Sequence, residues 1–342
     1  SAVPSLSEAF SLAILALHGG AGGDGPWRGL TDLDPKRLQC LENILSLIGT
    51  KLQNGQLNAL DAVTLAVEIM EDEELYNAGR GSVIAADGSV TMDASIMRGC
   101  DGAAGSVVNV KRIRHPIRAA NLLLHQGWPV MLNSDAADIF AIENGVEEVE
   151  QSWLITDLRK AQWQKWKDSK GSPGSTDEDD SAILDHDIDL ETQDGMGTVG
   201  AVALDSQGRL AAATSTGGMT GKPNGRIGDT AIIGAGTWCD NDVAVSCTGV
   251  GEAFIRTCAA HEVSNQLQKL IISGQQNPLL NAANNVLKLV APLEGRGGVI
   301  AISKQGEVVL PFQTMLMYRG YFNNGEIKTG IGQEEYVFTH QK

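Results

Sequence analysis

The chain has 342 residues, of which 42% are hydrophobic and 20% charged, and it can bury a substantial core in one domain or two. Its formal net charge of -16 argues against a nucleic-acid-binding protein and against binding to an anionic membrane surface. The five cysteines form no C-x-x-C pair, so we expect neither a disulfide framework nor a zinc site, but reduced thiols in a cytoplasmic protein.

The N-terminal part predicts one strand followed by two helices. The apolar run before His18 lacks the basic start and the small-residue cleavage site of a signal peptide, so we expect a core strand that ends in a glycine turn. Pro35 stands at the first position of a helix whose leucines recur at helical spacing as far as Gly55. Asn58 caps the next helix.

The following segment predicts strands and then helices. We expect a hairpin over 82–97 that turns at Asp87-Gly88, and a further strand over 103–110. A helix begins at Pro116 and ends at Gly127. Helical patterns at 133–144 and 156–168 follow.

An acidic run separates the two halves of the chain. Residues 171–194 contain nine aspartates and glutamates without any lysine or arginine, and they are too polar to offset the entropy of ordering. We therefore predict a mobile linker over 170–197. On composition alone it could be a solvated connection between two domains.

The second half begins with a hairpin. Asp205-Ser206-Gln207-Gly208 is typical of a type I turn with glycine in the left-handed position, which gives a three-residue loop. That register places Thr198 opposite Thr216, whereas a two-residue loop would shift the pairing by one. A strand at 243–248, a long helix after Gly251, a helix over 278–290 and a final hairpin over 298–310 complete the pattern. Hairpins and paired helices predict two stacked antiparallel sheets between helix layers.

Two glycine-rich segments resemble nucleotide-binding motifs only superficially. The run that ends at Lys222 has Thr216 where a phosphate-binding loop needs glycine and Pro223 where it needs serine or threonine. Gly249-Val250-Gly251 lacks the third glycine of a dinucleotide fingerprint. A strand, a glycine turn and a helix can instead supply N–H groups to an oxyanion.

Two further features carry chemistry. Arg226 and Asp229 could together hold the carboxylate and the ammonium of an amino acid, or they could form an ion pair within their own loop. Thr198 could be an ordinary strand residue. It could also become a nucleophile if the bond after Gly197 were cut, because the freed α-amine can then take the hydroxyl proton.

Long segments of the chain resemble one known family, the plant-type (type III) L-asparaginases or isoaspartyl aminopeptidases of the N-terminal-nucleophile hydrolase superfamily. The matching segments are Gly197-Thr198-Val199-Gly200-Ala201-Val202-Ala203-Leu204-Asp205, Thr214-Ser215-Thr216-Gly217-Gly218-Met219-Thr220, Gly225-Arg226-Ile227-Gly228-Asp229, Gly234-Ala235-Gly236, Ser246-Cys247-Thr248-Gly249, His18-Gly19-Gly20-Ala21-Gly22 and Asn77-Ala78-Gly79. They extend over nearly the whole chain outside the acidic run.

The resemblance implies an α+β fold, a four-layer αββα sandwich formed by a single domain over 1–342. It implies a precursor that cuts itself before Thr198 into an α chain, 1–197, and a β chain, 198–342, and two such pairs that associate as (αβ)2. The implied activity is hydrolysis of β-aspartyl dipeptides and L-asparagine to L-aspartate plus an amino acid or ammonia, through an ester on Thr198.

The resemblance also assigns roles to individual residues. Thr198 is the nucleophile and its amine the base, and Thr216 adjusts the nucleophilic hydroxyl. The resemblance implies that Thr248 and the Gly249 N–H form the oxyanion hole. It implies that Arg226 binds the α-carboxylate and that Asp229, with backbone carbonyls near Gly251, binds the α-ammonium. Asn77 is implied to position the nucleophile region. A sodium ion, or alternatively potassium, is implied on backbone carbonyls of a loop that contains Met70, Glu71, Glu73, Tyr76, Ala78 and Arg80. No cofactor is implied for catalysis.

Other functions compete with this interpretation. Glycosylasparaginases share the nucleophile and the arginine–aspartate clamp but tend to have Thr-Asn-Gly where this chain has Thr216-Gly217-Gly218, and they are secreted. A taspase-like endopeptidase is a more distant alternative. An uncleaved, non-catalytic protein that binds an amino acid between Arg226 and Asp229 is a different class of function.

Overall fold

A computed structural model of the chain describes residues 12–22, 34–170 and 197–333. Of the predicted mobile linker over 170–197, residues 171–196 lie outside the described residues. Within the described ranges, no helix is long and apolar enough to cross a membrane.

The described residues form helices and strands in alternating groups. The helices are α1 (Asp34–Gln53), α2 (Ala59–Asp72), α3 (Pro116–Gln126), α4 (Ser134–Glu143), α5 (Gln151–Leu154), α6 (Asp157–Lys170), α7 (Gly251–Thr257), α8 (Ala259–Ile272) and α9 (Pro278–Val290). The strands are β1 (Ile14–Gly22), β2 (Met92–Arg98), β3 (Ala104–Val110), β4 (Met131–Asn133), β5 (Val199–Leu204), β6 (Leu210–Thr216), β7 (Thr237–Cys239), β8 (Val243–Gly249), β9 (Gly297–Ser303), β10 (Val308–Val309), β11 (Leu316–Asn323) and β12 (Glu326–Gly332).

These elements stack in four layers. An eight-stranded sheet has the order β12-β11-β1-β5-β6-β2-β3-β4, and a four-stranded sheet has the order β10-β9-β8-β7. Every pairing within the two sheets is antiparallel except that of β3 with β4. Helices α1, α2 and α3 pack on the larger sheet, α8 and α9 pack on the smaller, and the two sheets contact each other through β1, β5, β6, β8 and β9. The predicted αββα sandwich is confirmed.

Strand β5 shows why a central strand of this fold is apolar on both sides. Val199, Ala201 and Ala203 belong to the core between the larger sheet and its helices, whereas Val202 and Leu204 belong to the core between the sheets. Both faces are covered, so the strand lacks the polar alternation of a surface strand.

Several predicted elements differ from those observed. The segment 82–97 is a strand only from Met92, although the turn forms, with the Gly88 N–H donating to the Ala85 carbonyl at 3.0 Å. The expected long helix after Gly251 is divided into α7 and α8, because Cys258 adopts the left-handed conformation with φ 48°. Strands β4, β11 and β12 were not predicted, and they form the two ends of the larger sheet.

Candidate active site

The β5–β6 hairpin brings the two threonines together. Val199 pairs with Ser215 and Leu204 with Leu210, and Gly208 has φ 74°, as the three-residue loop requires. The Thr198 hydroxyl donates a hydrogen bond to Thr216 Oγ1 at 3.1 Å. The predicted placement of Thr198 opposite Thr216 is therefore confirmed.

Most of the predicted chemical groups line one cleft. The cleft opens to solvent, and the empty space within it and at its mouth is about 380 Å³. Its predicted lining residues are Gly197, Thr198, Thr216, Arg226, Asp229 and Gly249, and its other lining residues are Ala21, Gly218, Met219, Gly228 and Thr230. Residues from the start of the chain, from the hairpin and from the loop before β7 therefore meet at one place.

Asn77 fixes the turn that follows Thr216. Its side-chain amide donates to the Gly218 carbonyl at 2.8 Å, and its main-chain carbonyl accepts from the Gly217 N–H at 3.0 Å. The Gly218 N–H in turn donates to Thr216 Oγ1 at 3.0 Å. A Cβ on Gly217 would lie 2.4 Å from Asn77 Oδ1, so this close approach requires glycine. Asn77 thus contacts the segment that holds Thr216 rather than Thr198 itself.

Thr248 and Gly249 lie at the end of β8, and of the two it is Gly249 that lines the cleft with Thr198. Gly249 lines the cleft with φ 142°, a conformation that L side chains rarely adopt. Thr248 is 1% exposed, and its hydroxyl oxygen has no hydrogen-bond partner among the described residues. A buried hydroxyl without a partner is costly, which is typical of a group that a ligand completes.

Arg226 is already paired in this structure. Its Nε and Nη2 groups donate to the two carboxylate oxygens of Glu252, both at 2.8 Å. Burial lowers the pKa of Arg226, but the hydrogen bonds and charge of Glu252 outweigh it and leave the pKa above its ordinary value. The guanidinium lies against Gly228 and Gly251, where added Cβ atoms would lie 2.8 and 3.0 Å from its nitrogens. A carboxylate ligand that used the Nε and Nη2 donors would therefore have to replace Glu252.

Asp229 is a buried carboxyl that can still accept hydrogen bonds. It is 4% exposed, and its Oδ2 has no hydrogen-bond partner in the part of the chain that the structure describes. Burial raises its pKa to about 7, although the nearby charge of Arg226 lowers it. A Cβ on Gly251 would lie 2.9 Å from its Oδ1, so the glycine allows the main chain to approach the carboxyl. An ammonium bound here would stabilise the ionised form.

In the loop predicted to hold a cation, main-chain carbonyls accept hydrogen bonds from N–H groups of the same loop. The carbonyls of Met70 and Glu73 accept hydrogen bonds from the N–H groups of Glu73 and Tyr76, both at 3.3 Å. The Glu71 carbonyl accepts from the Arg80 N–H at 2.7 Å. Three of the six predicted carbonyl ligands therefore already accept one hydrogen bond each, and each retains a second lone pair.

A glycine in this loop leaves open a space onto which two carbonyls converge. Gly81 has φ 95°, and a Cβ there would lie 2.8 Å from the carbonyl oxygens of both Glu74 and Tyr76. Ala78, another predicted ligand, is buried. The histidine, cysteine and carboxylate side chains of the described residues form no group that could hold a metal. A cation would thus depend on main-chain oxygens, which suit sodium or potassium.

The Glu71 side chain connects two helices to strand β6. One carboxyl oxygen accepts from the Ser215 hydroxyl at 2.6 Å and from the Ile117 N–H at 3.0 Å. Complete burial raises its pKa well above the ordinary value, opposed by the hydrogen bonds from Ser215 and Ile117. The carboxyl therefore ties α2 and α3 to the strand that carries Thr216.

The sequence did not point to the side chains of Glu252, Thr230 and Met219 as parts of the site. Glu252 is a plain acidic residue in the first turn of α7, and its position after the glycine turn was the available signal. Thr230 follows Asp229 directly, and Met219 belongs to the run after Thr216. Neither residue type is distinctive enough to be assigned to a site from sequence alone.

Comparison with known proteins gives a consistent family assignment. A family model described as "Asparaginase" matches residues 11–331. The chain is 39% identical over 327 residues to "Isoaspartyl peptidase" of Escherichia coli (strain K12), covering 94% of this chain and 97% of the relative. It is 33% identical over 320 residues to "Isoaspartyl peptidase/L-asparaginase" of Xenopus laevis, covering 93% and 94%. It is also 33% identical over 336 residues to the protein of that name from Rattus norvegicus, covering 96% and 92%.

Proposed function

The chain belongs to the asparaginase family, and from that premise we propose that it is a self-cleaving amidohydrolase for β-aspartyl dipeptides and L-asparagine. The observation that carries the proposal is the cleft in which Thr198, hydrogen-bonded to Thr216, lies with Arg226 and Asp229. A nucleophile beside a cationic and an anionic group suits a substrate with the free amino and carboxyl groups of aspartate.

The first reaction is cleavage of the precursor. The Thr198 hydroxyl attacks the carbonyl of Gly197, the C–N bond breaks, and the acyl group moves to Oγ as an ester. Water then hydrolyses that ester and leaves an α chain, 1–197, and a β chain that begins with a free amine. Gly197 lies tightly against β1, since a Cβ on Gly20 would be 2.4 Å from its nitrogen.

The mature enzyme then transfers an acyl group twice. The Thr198 amine takes the hydroxyl proton, and Oγ attacks the side-chain carbonyl of asparagine or the isopeptide carbonyl of a β-aspartyl dipeptide. The Thr248 hydroxyl and the Gly249 N–H donate to the oxyanion. The protonated amine gives its proton to the leaving ammonia or amino acid, and water hydrolyses the remaining β-aspartyl ester to L-aspartate.

The two charged residues select the substrate. Arg226 exchanges the Glu252 carboxylate for the α-carboxylate of the substrate, whose two oxygens can use the same pair of N–H donors. Asp229 accepts the α-ammonium, with carbonyls near Gly251 as further acceptors. The exchange keeps the arginine paired in both states, so a buried cation is never left alone.

Three further properties complete the proposal. The αβ units associate as (αβ)2, and the loop 70–80 holds sodium, or potassium, on main-chain oxygens. Such an ion would stabilise the loop by binding, without taking part in a bond-making step. A cytoplasmic location is supported by the five cysteines, all of which are free.

Electrophoresis and N-terminal sequencing test the first reaction. Two polypeptides, one of which begins Thr-Val-Gly-Ala, are expected for the wild type, and a single chain for Thr198→Ala. A wild-type chain that stays intact on long incubation contradicts self-cleavage and favours a protein that only binds an amino acid.

A substrate panel tests the second reaction. L-Asparagine, β-aspartyl-leucine and GlcNAc-asparagine are compared with the mature protein, and release of aspartate is followed. We expect turnover of the first two. Turnover of GlcNAc-asparagine alone would assign the chain to glycosylasparaginase activity instead.

A further inference from the structure

His18 lies behind the nucleophile and has no part in the reaction described above. It is fully buried in β1, where it pairs with Gly200 of β5. Its Nδ1 lies 2.8 Å from the Thr198 carbonyl oxygen, and its Nε2 lies 2.8 Å from Ser246 Oγ. One side chain thus contacts the nucleophilic residue on its main-chain side and the smaller sheet on the other.

The partners of the ring determine where its proton lies. A carbonyl oxygen can only accept, so Nδ1 carries the hydrogen and donates it to Thr198. Burial lowers the pKa of His18 to about 3, opposed by the hydrogen bond to Thr198, so the ring is neutral. Nε2 then carries no hydrogen and accepts a hydrogen bond from the Ser246 hydroxyl.

The contacts of His18 continue as a connected polar series between the two sheets. Ser246 Oγ lies 2.8 Å from Thr214 Oγ1, which accepts from the Thr237 hydroxyl at 2.6 Å. Ser95 Oγ lies 2.8 Å from Thr237 Oγ1 and donates to the Thr230 carbonyl at 2.6 Å. The series therefore ends beside Asp229, in the loop proposed to hold the substrate ammonium. These side chains are fully buried, and the low local dielectric there strengthens such hydrogen bonds.

The neighbouring strand makes room for this series. A Cβ on Gly200 would lie 2.1 Å from Ser246 Oγ and 2.3 Å from His18 Nε2. Any other residue at 200 would separate the histidine from the serine. A glycine in the middle of a buried strand is otherwise unfavourable. At Gly200 it allows Ser246 and His18 to approach each other.

We propose that His18 is a positioning residue, whose Nδ1–H holds the Thr198 carbonyl and so keeps the freed terminal residue, with its amine and its hydroxyl, oriented towards the cleft. The inference rests on the proposed function. After cleavage, Thr198 no longer has a chain on its amino side. Rotation of the peptide plane between Thr198 and Val199 would then swing the whole terminal residue, and the bond from His18 opposes that rotation. Small misplacements of reacting groups are costly, because a shift of about 1 Å can lower a rate by about 10²-fold.

Three variants separate positioning from simple stability. His18→Leu removes both hydrogen bonds, whereas His18→Asn retains an amide donor near the position of Nδ1. Ser246→Ala removes only the distal contact. Ser303→Ala serves as the matched control, because that buried hydroxyl accepts from the Glu307 N–H outside the series.

The measurements are kcat and KM for β-aspartyl-leucine, counted per cleaved Thr198 terminus, together with Tm and the rate of self-cleavage. For His18→Leu we expect kcat to fall by about 10- to 100-fold while KM changes by less than about two-fold. His18→Asn should recover most of kcat. Ser246→Ala should lose less than His18→Leu, and Ser303→Ala should keep wild-type kcat even if its Tm falls.

Two results would overturn the inference. Wild-type kcat per terminus in His18→Leu would show that the hydrogen bond does not position Thr198. Losses of kcat that follow Tm across all four variants, without recovery in His18→Asn, would show that His18 only stabilises the core. If His18→Leu does not fold, the comparison of His18→Asn with Ser246→Ala and Ser303→Ala still decides between these outcomes. An uncleaved or inactive wild type refutes the proposed function itself, and the inference with it.

Discussion

Replacing Thr248 by valine should lower activity and raise stability at the same time. The substitution keeps the β-branched shape in β8 and removes only the hydroxyl. That hydroxyl is buried and without a partner among the described residues, while Gly249 beside it lines the cleft. In the free protein the group therefore costs free energy, and in the proposed reaction it donates to the oxyanion.

The two magnitudes follow from these two states. Loss of one oxyanion donor lowers kcat by about 10²- to 10³-fold, which corresponds to roughly 2.7–4 kcal/mol. Removal of an unsatisfied buried hydroxyl raises the free energy of unfolding by about 1 kcal/mol, near the lower end of the usual penalty for such groups. KM should change little, because the donor acts on charge that develops only in the transition state.

The assay combines denaturant unfolding with steady-state kinetics on β-aspartyl-leucine. Unfolding is compared on chains that also carry Thr198→Ala, so that each protein is a single polypeptide. Kinetics are measured on the cleaved forms. Thr329→Val is the control. Its buried hydroxyl donates to Glu42 at 3.3 Å, so this substitution removes a hydrogen bond that Thr248→Val does not. Neither Thr329 nor Glu42 lines the cleft. A Thr248→Val enzyme with kcat within about three-fold of wild type would refute the oxyanion assignment.

Four further outcomes are expected. Thr198→Ala should stay uncleaved and inactive with its fold intact, and a recovered two-chain product would contradict the nucleophile assignment. Glu252→Gln should lower KM by up to about five-fold, because Glu252 is half exposed and its ion pair, which competes with substrate, is worth at most about 1 kcal/mol; an increase in KM would mean that Glu252 assists binding. The carboxyl of Asp229 has a folded pKa of about 7, above its unfolded value, so its stabilising contribution is full below the unfolded pKa and is lost as pH rises through 7. The Tm advantage of Asp229→Asn over wild type should therefore grow up to about pH 7 and then level off, and a constant difference would show that the carboxyl does not titrate there. Exchanging sodium for tetramethylammonium should lower Tm if the loop 70–80 holds the ion, and an unchanged Tm across cations would refute that site.

Local turn chemistry is what made the reactive hairpin predictable. The sequence Asp205 to Gly208 admits few loop geometries, and one of them sets the register of every pair up to Thr216. Because successive side chains of a strand point to opposite faces, alternate residues of the hairpin then belong to two different cores. Fold class and the opposition of the two threonines thus depend on interactions close in sequence.

What the sequence did not reveal depends on contacts between distant segments. Strand β11 pairs with β1 about 300 residues earlier in the chain, and its sequence, LMYRGYFN, has no pattern that names that partner. His18 was recognised only as part of a motif, because its role depends on Ser246 and on the missing side chain at Gly200. The pairing of Arg226 with Glu252 likewise joins a loop to the first turn of α7, which lies further along the chain. Such contacts exist only once the layers have assembled.

The burial of Thr198 would tie the proposed self-cleavage to folding. Thr198 is 8% exposed, Gly197 lies against β1, and the Thr198 hydroxyl donates to Thr216 at the end of β6. An unfolded chain brings none of these groups together, so the proposed cleavage requires the assembled fold. The cleaved fraction of a sample would then count the molecules that have reached the native state at least once. Each finished molecule would carry a permanent chemical record of its own folding.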